Sequence, residues 1–285
     1  MDVFGVRTVR LLSAFALLLA SAASCGAEEA AVYDVQAGHP IGFADMARRL
    51  RGTPLLLLGE LHAQPPIQRG QLRVLEALHA AGARLAVGLE MFRRDGREAL
   101  DRWIAGELAE REFQTVFADH WGMGWDAYRP IFLWAREHRV PLVGLNVPRE
   151  ITRKVARSGF ASLSEEERGL LSGVTCDLDP DYLDYVRRVH GAHAHGGSDF
   201  LFFCEAQMVW DAAMAVHALD FLGAHPGRTM VILTGVAHAR KGAVPRQIAR
   251  RSPLPAVVIL PEIPGSLDPA TVRLEDADFL LVGLQ

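Results

Sequence analysis

The chain has 285 residues, of which 50% are hydrophobic and 22% are charged, a composition typical of globular proteins. This length is appropriate for one large α/β domain or two small ones. The formal net charge is −4, and no block of like charge interrupts the sequence. Because nucleic acid binding requires a basic patch, this charge pattern argues against nucleic acid as a partner.

The N-terminus has the pattern of a secretory signal peptide. Arg7 and Arg10 form a positively charged start, and the apolar run that follows them is too short to span a bilayer. The residues that end at Cys25 resemble a bacterial lipobox, with alanine in the position where leucine is usual. We expect residues 1–24 to direct export and Cys25 to carry a lipid anchor. An ordinary signal peptide, cleaved shortly after Cys25, is the alternative.

Strand and helix patterns alternate from about residue 30. Short apolar runs predict buried parallel strands, and apolar residues with a period of 3.6 predict helices. In chain order, the patterns predict an edge strand at 32–35, a helix at 43–50, a strand at 55–58, a helix at 67–80, a strand at 85–87, helical segments at 97–128 with breaks near 106 and 122–124, a helix at 131–138 opened by Pro130, a strand at 141–145 and a helix at 148–157.

Residues from about 162 to 223 depart from this alternation. Ser164 begins a helix with a capping-box pattern, and helices at 180–190 and 200–222 follow without an intervening strand. The alternation then returns with a strand at 230–234, a helix at 243–250 and strands at 256–260 and 279–284. We therefore predict one α/β domain over residues 30–285, with a mostly parallel sheet flanked by helices and an α-helical cap inserted at about 162–223.

Titratable side chains follow three of the apolar strands. Glu60 and His62 come directly after one strand, Glu90 follows the next strand along the chain, and His238 follows the strand after the cap. Because the carboxyl ends of parallel strands converge on one crevice, we expect these four catalytic candidates to share it. The alternatives are that Glu60 caps the helix that follows it and that Glu90 forms a surface salt bridge with a neighbouring arginine.

Two kinds of chemistry fit this set of side chains. His62, Glu90 and His238 supply two imidazoles and a carboxylate, which are the ligands of a divalent metal that keeps an open position for water. The same groups, together with Glu60, could activate water by general base catalysis without a metal. The spacing of these residues along the chain does not decide between a metal site and a metal-free site.

Further polar residues are predicted to support the crevice. Gln207 and Asp211 lie on one stripe of the long apolar helix of the cap, so we expect them to face a cleft. Asn146 ends another strand, where capping of the following helix is the alternative role. Two cysteines, Cys176 and Cys204, could pair in an oxidising compartment or be buried as small apolar side chains.

The aromatic and histidine clusters each leave two interpretations open. Trp121 and Tyr128 belong to an aromatic cluster that predicts the core of a helical cap, with stacking on a flat macrocycle as the alternative. The histidine-rich loop at 190–197 predicts a solvated loop, with metal or haem ligation as the alternative.

Six segments together resemble one known family. They are GELH at 59–62, GLEM at 88–91, WDAYRP at 125–130, GLNVPRE at 144–150, EAQMVWDAAMA at 205–215, and GVAH with GAVP at 235–245. The chain resembles the ChaN-like haem-uptake proteins from about residue 30 to 260, within a superfamily that includes Tiki-type proteases, TraB-type proteins and erythromycin esterases.

The resemblance implies a lipoprotein in the bacterial periplasm or on the outer membrane that binds haem for iron uptake, with a homodimer left open. Haem is the expected cofactor and the membrane is a partner through the lipid anchor. The resemblance also implies an alternative function, a Tiki-like metal-dependent peptidase or esterase that uses the paired histidine motifs and a glutamate. In the cap, Tyr182, Tyr185, His193 and His195 are the candidate haem ligands.

Overall fold

In a computed structural model, which describes residue 1 and residues 31–190 and 198–284, the chain forms a sheet of eight strands in the order β2-β1-β8-β7-β3-β6-β4-β5. The strands are β1 Ala31–Asp34, β2 His39–Ile41, β3 Leu55–Glu60, β4 Leu85–Arg93, β5 Leu142–Asn146, β6 Thr229–Gly235, β7 Ala256–Pro261 and β8 Phe279–Val282. The predicted signal peptide, Cys25, His193 and His195 lie outside the described residues.

The sheet is mostly parallel, as the sequence predicts. Strand β3 pairs in parallel with β6 and β7, strand β4 pairs in parallel with β5 and β6, and β7 pairs in parallel with β8. Strand β1 is antiparallel to both β2 and β8. The predicted edge position of β1 is therefore wrong, because β2 covers it. Strand β2 has three residues, one of them proline, and is too short to show an alternating pattern.

Helices flank the sheet on both faces. They are α1 Phe43–Arg49, α2 Pro65–Ala80, α3 Arg97–Ala105, α4 Glu110–His120, α5 Trp125–Glu137, α6 Arg149–Ser158, α7 Glu165–Gly169, α8 Pro180–His190, α9 Ser198–Ala224, α10 Val236–Ala239 and α11 Val244–Ala249. Pro130 lies inside α5 instead of opening a new helix. Proline removes one helical hydrogen bond, and burial of the neighbouring Tyr128 and Phe132 offsets this loss.

The position of β3 inside the sheet explains why its four leucines form an uninterrupted apolar run. Leu56 and Leu58 belong to one core cluster with helices α2, α3, α4 and α5, whereas Leu55 and Leu57 belong to a second cluster with α9 and α11. All four leucines are fully buried. Successive residues of a strand point to opposite faces, so a strand covered by helices on both faces needs apolar residues at every position.

The segment predicted as a cap has two structural roles. The first half of α9 forms two small apolar clusters beside the sheet, one with α6 and the segments on either side of α7, the other with α8. The second half of α9, which includes Met214, Ala218 and Leu222, belongs to the core cluster on the sheet itself. Helix α9 is largely apolar because most of it is buried against the sheet and α6.

The two cysteines in the region of the cap remain reduced, and a separate observation concerns the length and hydropathy of the helices. Cys176 and Cys204 are both free thiols, so they do not form a disulfide in this structure. Burial raises the pKa of the Cys204 thiol to about 11, which leaves it protonated at neutral pH. In the part of the chain that is described, no helix has both the length and the apolar character needed to cross a membrane.

Candidate functional site

The carboxyl ends of β3, β6 and β4, which are neighbours in the sheet, bring the four predicted catalytic side chains together. Glu60 ends β3 opposite Gly235, the last residue of β6. A Cβ atom on Gly235 would lie 3.0 Å from Nε2 of His62 and 3.8 Å from Oε2 of Glu90. Glycine at this position therefore allows both side chains to approach the end of β6.

The first unit of the site is a carboxylate–imidazole pair. Nδ1 of His62 lies 2.8 Å from Oε1 of Glu60. The hydroxyl of Tyr128 also donates to Oε1 of Glu60, and the amide Nε2 of Gln68 donates to Oε2 at 3.1 Å. These partners satisfy a carboxylate that is only 1% exposed. The alternative role of Glu60 as a helix cap is wrong, because α2 has Gln64 as its N-cap residue and no side-chain capping bond.

A second carboxylate–imidazole pair faces the first. Nδ1 of His238 lies 2.6 Å from Oδ1 of Asp211, and the hydroxyl of Tyr182 donates to Oδ2 of Asp211 at 2.6 Å. Asp211 belongs to α9, and His238 belongs to the short helix α10 after β6. Each histidine of the site is therefore held through Nδ1 by a buried carboxylate that also accepts a tyrosine hydroxyl.

Glu90 lies between the two pairs. Its Oε2 accepts hydrogen bonds from Oγ1 of Thr234 at 2.6 Å and from the backbone N of Gly235 at 2.7 Å. Its Oε1 lies 4.0 Å from Nε2 of His238. Glu90 is 3% exposed, so its predicted alternative role in a surface salt bridge is wrong. Arg93 and Arg94 instead pair with aspartates elsewhere on the surface.

The charged groups of the site shift the pKa values of both histidines and of Glu90. Burial lowers the pKa of His238, but the charge of Asp211, its hydrogen bond and the charge of Glu90 outweigh burial and raise the pKa to about 9. Burial likewise opposes protonation of His62, and the bond to Glu60 and the charge of Glu90 raise its pKa above the usual value. Burial raises the pKa of Glu90, but the two histidines and the bond from Thr234 lower it below its ordinary value.

Asn146 supports Glu90 from the backbone side. Its Nδ2 donates to the backbone oxygen of Glu90 at 2.9 Å, and its Oδ1 accepts from the backbone N of Val147 at 2.8 Å and from Nε1 of Trp210 at 2.5 Å. Helix α6 has Pro148 as its N-cap residue, without a side-chain capping bond, so the capping role considered for Asn146 is wrong. Asn146 joins the end of β5 to β4 and to α9.

The site opens into a crevice with a volume of about 1070 Å³. Glu60, His62, Glu90, Gln207, His238 and Tyr185 line it, together with apolar side chains, among them Trp121, Val189, Trp210 and Ile263. Its volume lies slightly above the usual range for small-molecule sites, about 300–1,000 Å³.

The two tyrosines predicted as haem ligands lie in different surroundings. Tyr182 is fully buried and does not line the crevice, and its hydroxyl is bound to Asp211, so it cannot contact a ligand there. Tyr185 lines the crevice, and its hydroxyl donates to the backbone oxygen of Ala237. A Cβ atom on Gly242 would lie 2.5 Å from the ring of Tyr185, so glycine is required there for the ring to fit.

Several residues of the site are not among the predicted site residues. The prediction that Tyr128 belongs to the core of a helical cap is wrong, because Tyr128 lies in the core cluster between the sheet and helices α2 to α5, where it also donates to Glu60. Trp121 lies at the crevice, edge-to-face with His62 at a distance of 5.0 Å between ring centroids. Arg153 and Arg188 also line the crevice. The spacing of the exposed arginines on their helices gave no signal of this role.

The predicted metal site is not supported. Within residues 31–190 and 198–284, no group of three or more histidine, cysteine, aspartate or glutamate side chains has an arrangement that could hold a metal ion. Both Nδ1 atoms of His62 and His238 are engaged by carboxylates, and Oε2 of Glu90 is engaged by two donors. These possible ligand atoms are therefore hydrogen-bonded to other groups of the protein.

Two solved structures are similar to this chain to different degrees. A solved structure of cofacial heme binding to ChaN of Campylobacter jejuni superimposes with a TM-score of 0.67 at 20% sequence identity, covering 88% of this chain and 96% of that chain. A structure of the erythromycin esterase EreC in its open conformation gives a TM-score of 0.48 at 14% identity, covering 84% of this chain and 78% of that chain.

A sequence relative and a family model cover most of the chain. The chain is 25% identical over 249 residues to the chloroplastic protein RETICULATA-RELATED 5 of Arabidopsis thaliana, covering 78% of this chain and 33% of that protein. This chain thus spans about a third of the length of that relative. The model described as "Haem-binding uptake, Tiki superfamily, ChaN" matches residues 46–248. The chain belongs to this ChaN family of haem-binding uptake proteins in the Tiki superfamily.

Proposed function

We propose that the protein binds haem in the crevice at the carboxyl end of the sheet. Family membership supports haem as the ligand, and the structure of the Campylobacter relative is one of cofacial heme binding. The observation that carries the proposal is the lining of the crevice, which combines the indole rings of Trp121 and Trp210 with apolar side chains and a histidine nitrogen. A flat aromatic ligand packs well against such walls.

Two side chains of the crevice fit the role of iron ligand. The bond from Nδ1 of His62 to Glu60 leaves Nε2 for a metal, and such a carboxylate partner makes an imidazole a stronger ligand. The side chain of His62 is 34% exposed, so it is accessible. Both candidates must lose a proton to bind iron, because the bond to Glu60 and the charge of Glu90 raise the pKa of His62, and burial raises the pKa of Tyr185 above the already basic value of a phenol. Tyr185 must in addition give up its bond to Ala237. We therefore favour His62. Haem, when bound, would supply an iron centre that such a side chain could hold.

A bulky side chain inside the crevice is expected to block haem binding. Ala237 lines the crevice, whereas Ala249 lies exposed on α11, outside it. In an absorbance titration with haemin, the wild type and Ala249→Trp are expected to give the same saturable Soret band, and Ala237→Trp is expected to lose at least tenfold in affinity, about 1.4 kcal/mol. Thermal unfolding would show that both variants are folded. Equal affinity of Ala237→Trp and the wild type would contradict the crevice as the haem site.

Two further variants separate the ligand candidates in the same titration. His62→Ala is expected to shift the Soret maximum and weaken binding, whereas Tyr185→Phe is expected to retain the wild-type spectrum. The opposite pattern would assign the iron to Tyr185. A loss of the wild-type spectrum only on joint replacement of His193 and His195 would move the ligand to the loop that the sequence singled out.

We also propose that the protein is exported and anchored to a membrane through Cys25. The N-terminal charge pattern, the apolar run and the lipobox-like sequence support this proposal. Expression of the full chain in a bacterium is expected to place it in the membrane fraction, and Cys25→Ala is expected to release it into the soluble fraction. A wild-type protein that stays soluble would contradict the anchor. Sedimentation of the purified protein, with and without haemin, tests whether a second copy of the chain is a partner.

A second candidate function is hydrolysis of an ester or peptide bond. The observation that favours it is the placement of Glu90 between two histidines that are themselves held by buried carboxylates. The ionised Glu90 would take a proton from a water molecule, which then attacks the substrate carbonyl. The protonated Nε2 of His238 would give a proton to the leaving group. The lowered pKa of Glu90 keeps this carboxylate ionised, and the raised pKa of His238 keeps this imidazole protonated, which are the protonation states that the two roles require.

A further inference from the structure

A pair of histidines lies at the amino end of the sheet, away from the crevice. His79 is in the last turn of α2, and His138 is the C-cap residue of α5. Helices α2 and α5 pack against each other, and their ends lead to the starts of the neighbouring parallel strands β4 and β5. Both histidines are exposed, and neither lines the crevice. The pair is therefore separate from the proposed haem site, which lies at the carboxyl ends of the strands.

The distance between the two imidazole rings matches that of two ligands of one metal ion. The ring centroids of His79 and His138 lie 4.9 Å apart, and the ring planes make an angle of 75°. An imidazole nitrogen binds Zn²⁺ at about 2.0–2.1 Å, which places the ring centroid about 3.2 Å from the ion. Two such rings on one ion then have centroids about 4.5 Å apart in a square-planar arrangement and about 5.2 Å apart in a tetrahedral one. The distance in the protein falls between these two values.

The hydrogen bonding of the two rings leaves nitrogen atoms available for a metal. Nδ1 of His138 donates to the backbone oxygen of Trp134 at 2.9 Å, so Nε2 of the neutral ring keeps its lone pair. A bond of this kind commonly fixes the tautomer and the orientation of a histidine that binds a metal. Within residues 31–190 and 198–284, the side chain of His79 makes no hydrogen bond, so its ring nitrogens are also available.

The indole of Trp134 supports both rings. It stacks on His138 with 5.0 Å between the centroids, and it meets the ring of His79 edge-to-face at 5.7 Å. Trp134 is only 7% exposed and belongs to the main core cluster, so its position is fixed by the packing of the fold. The two imidazoles are therefore held beside each other before any ligand binds.

The electrostatic surroundings of the pair favour a cation. The unpaired carbonyls at the C-terminal end of a helix carry a partial negative charge of about half an electron, and α2 and α5 both end here. Nitrogen ligands such as imidazole suit Zn²⁺, Ni²⁺ and Cu²⁺, whereas Mg²⁺ and Ca²⁺ prefer oxygen ligands. The pair therefore matches a transition metal ion.

We propose that His79 and His138 bind one divalent transition metal ion of the zinc, nickel or copper class. Nε2 of His138 and one ring nitrogen of His79 are the protein ligands, and water completes the coordination. In the described ranges of the chain, no group of three or more candidate side chains could hold a metal, so this is an exposed site with two protein ligands. The bound ion links the C-terminal ends of α2 and α5.

The test uses Cu²⁺ as the probe and the fluorescence of Trp134 as the readout, because this indole contacts both rings. The full chain, freed of metal by a chelator, is titrated as the wild type and as His79→Ala, His138→Ala and the control His225→Ala. His225 is a matched control, since it is exposed, its Nδ1 bonds the backbone oxygen of Phe221 at 3.0 Å and its ring stacks on Phe221. In the described part of the chain, its ring contacts no second histidine.

Saturable quenching with the same affinity is expected in the wild type and in His225→Ala. Loss of either ligand is expected to weaken binding by about tenfold or more. The part of the quenching that disappears in Trp134→Phe isolates this site from ions bound in the crevice or at the loop of residues 190–197. Quenching through Trp134 that is equal in all four proteins, or absent from the wild type, would overturn the metal site.

Thermal unfolding with Zn²⁺ provides a second readout that does not depend on fluorescence. An ion that binds only the folded state raises the unfolding temperature. The increase is expected to be larger in the wild type and in His225→Ala than in His79→Ala and His138→Ala. An equal increase in all four proteins would show that zinc stabilises the fold from another place and would contradict a link between α2 and α5.

Discussion

Replacing Asp211 with alanine is expected to lower the free energy of unfolding by about 3–5 kcal/mol, the usual result of removing one partner of a buried ion pair. The carboxylate of Asp211 is 1% exposed and binds both His238 and Tyr182. Its removal leaves a buried imidazole and a buried hydroxyl without partners. Urea unfolding followed by circular dichroism measures the change.

Asp220→Ala is the matched control for this experiment. Asp220 lies on the same helix, α9, but its ion pair with Arg94 is at the surface and its side chain is 54% exposed. We expect this variant to lose about 1 kcal/mol or less. Equal losses in the two variants would contradict the stabilising role of the Asp211–His238 pair.

The same pair gives the wild type a specific dependence of stability on pH. The pKa of His238 is about 9 in the folded protein, above the ordinary histidine value of 6.5. The contribution of the pair is therefore fully present below the unfolded pKa and is lost as the pH rises through the folded pKa. The gap in stability between the wild type and Asp211→Ala is expected to narrow between pH 7 and pH 10. A gap that stays constant over this range would show that His238 does not titrate there.

A loss of about 10²–10⁴-fold in hydrolytic rate is expected for both Glu90→Gln and His238→Gln if the crevice is a hydrolase, which is the usual contribution of general acid–base catalysis. A chromogenic ester and a mixed peptide library are suitable substrates. Glu98→Gln, on the exposed surface of α3, is the control and should keep the wild-type rate. No activity in the wild type, or full activity in either crevice variant, would reject this function.

The dependence of the hydrolytic rate on pH provides an independent check of Glu90 as the base and His238 as the acid. The lowered pKa of Glu90 keeps this carboxylate ionised at neutral pH, and protonation in acid would remove the base. The pKa of His238, about 9, keeps this imidazole protonated until the pH rises through that value, where the acid would be lost. The rate is therefore expected to be constant around neutral pH and to fall on both sides. A rate that continues to rise above pH 9 would contradict His238 as the acid.

The central features of the fold follow from local sequence patterns. The run of four leucines in β3 predicts a strand covered on both faces, and the structure places apolar clusters on both sides of it. Because the strands are parallel, the residues after them converge, and Glu60, His62, Glu90 and His238 lie at one edge. This convergence could be predicted without knowing how the helices pack.

The side chains that the helices contribute to the site could not be predicted in the same way. Tyr128 has the apolar neighbours of a core residue, and only the packing of α5 beside β3 brings its hydroxyl to Glu60. Arg153 and Arg188 are exposed residues whose relation to the crevice depends on how α6 and α8 lie against the sheet. Helix periodicity shows which face is buried, but it does not show which exposed residue lies at the mouth of a site.

The crystal structure of the complex with haemin is the most direct test of the account. We expect the porphyrin in the crevice that residues of α6, α8 and α10 line, with its iron bound to Nε2 of His62. A porphyrin bound on the surface, outside the crevice and away from His62, would contradict the account.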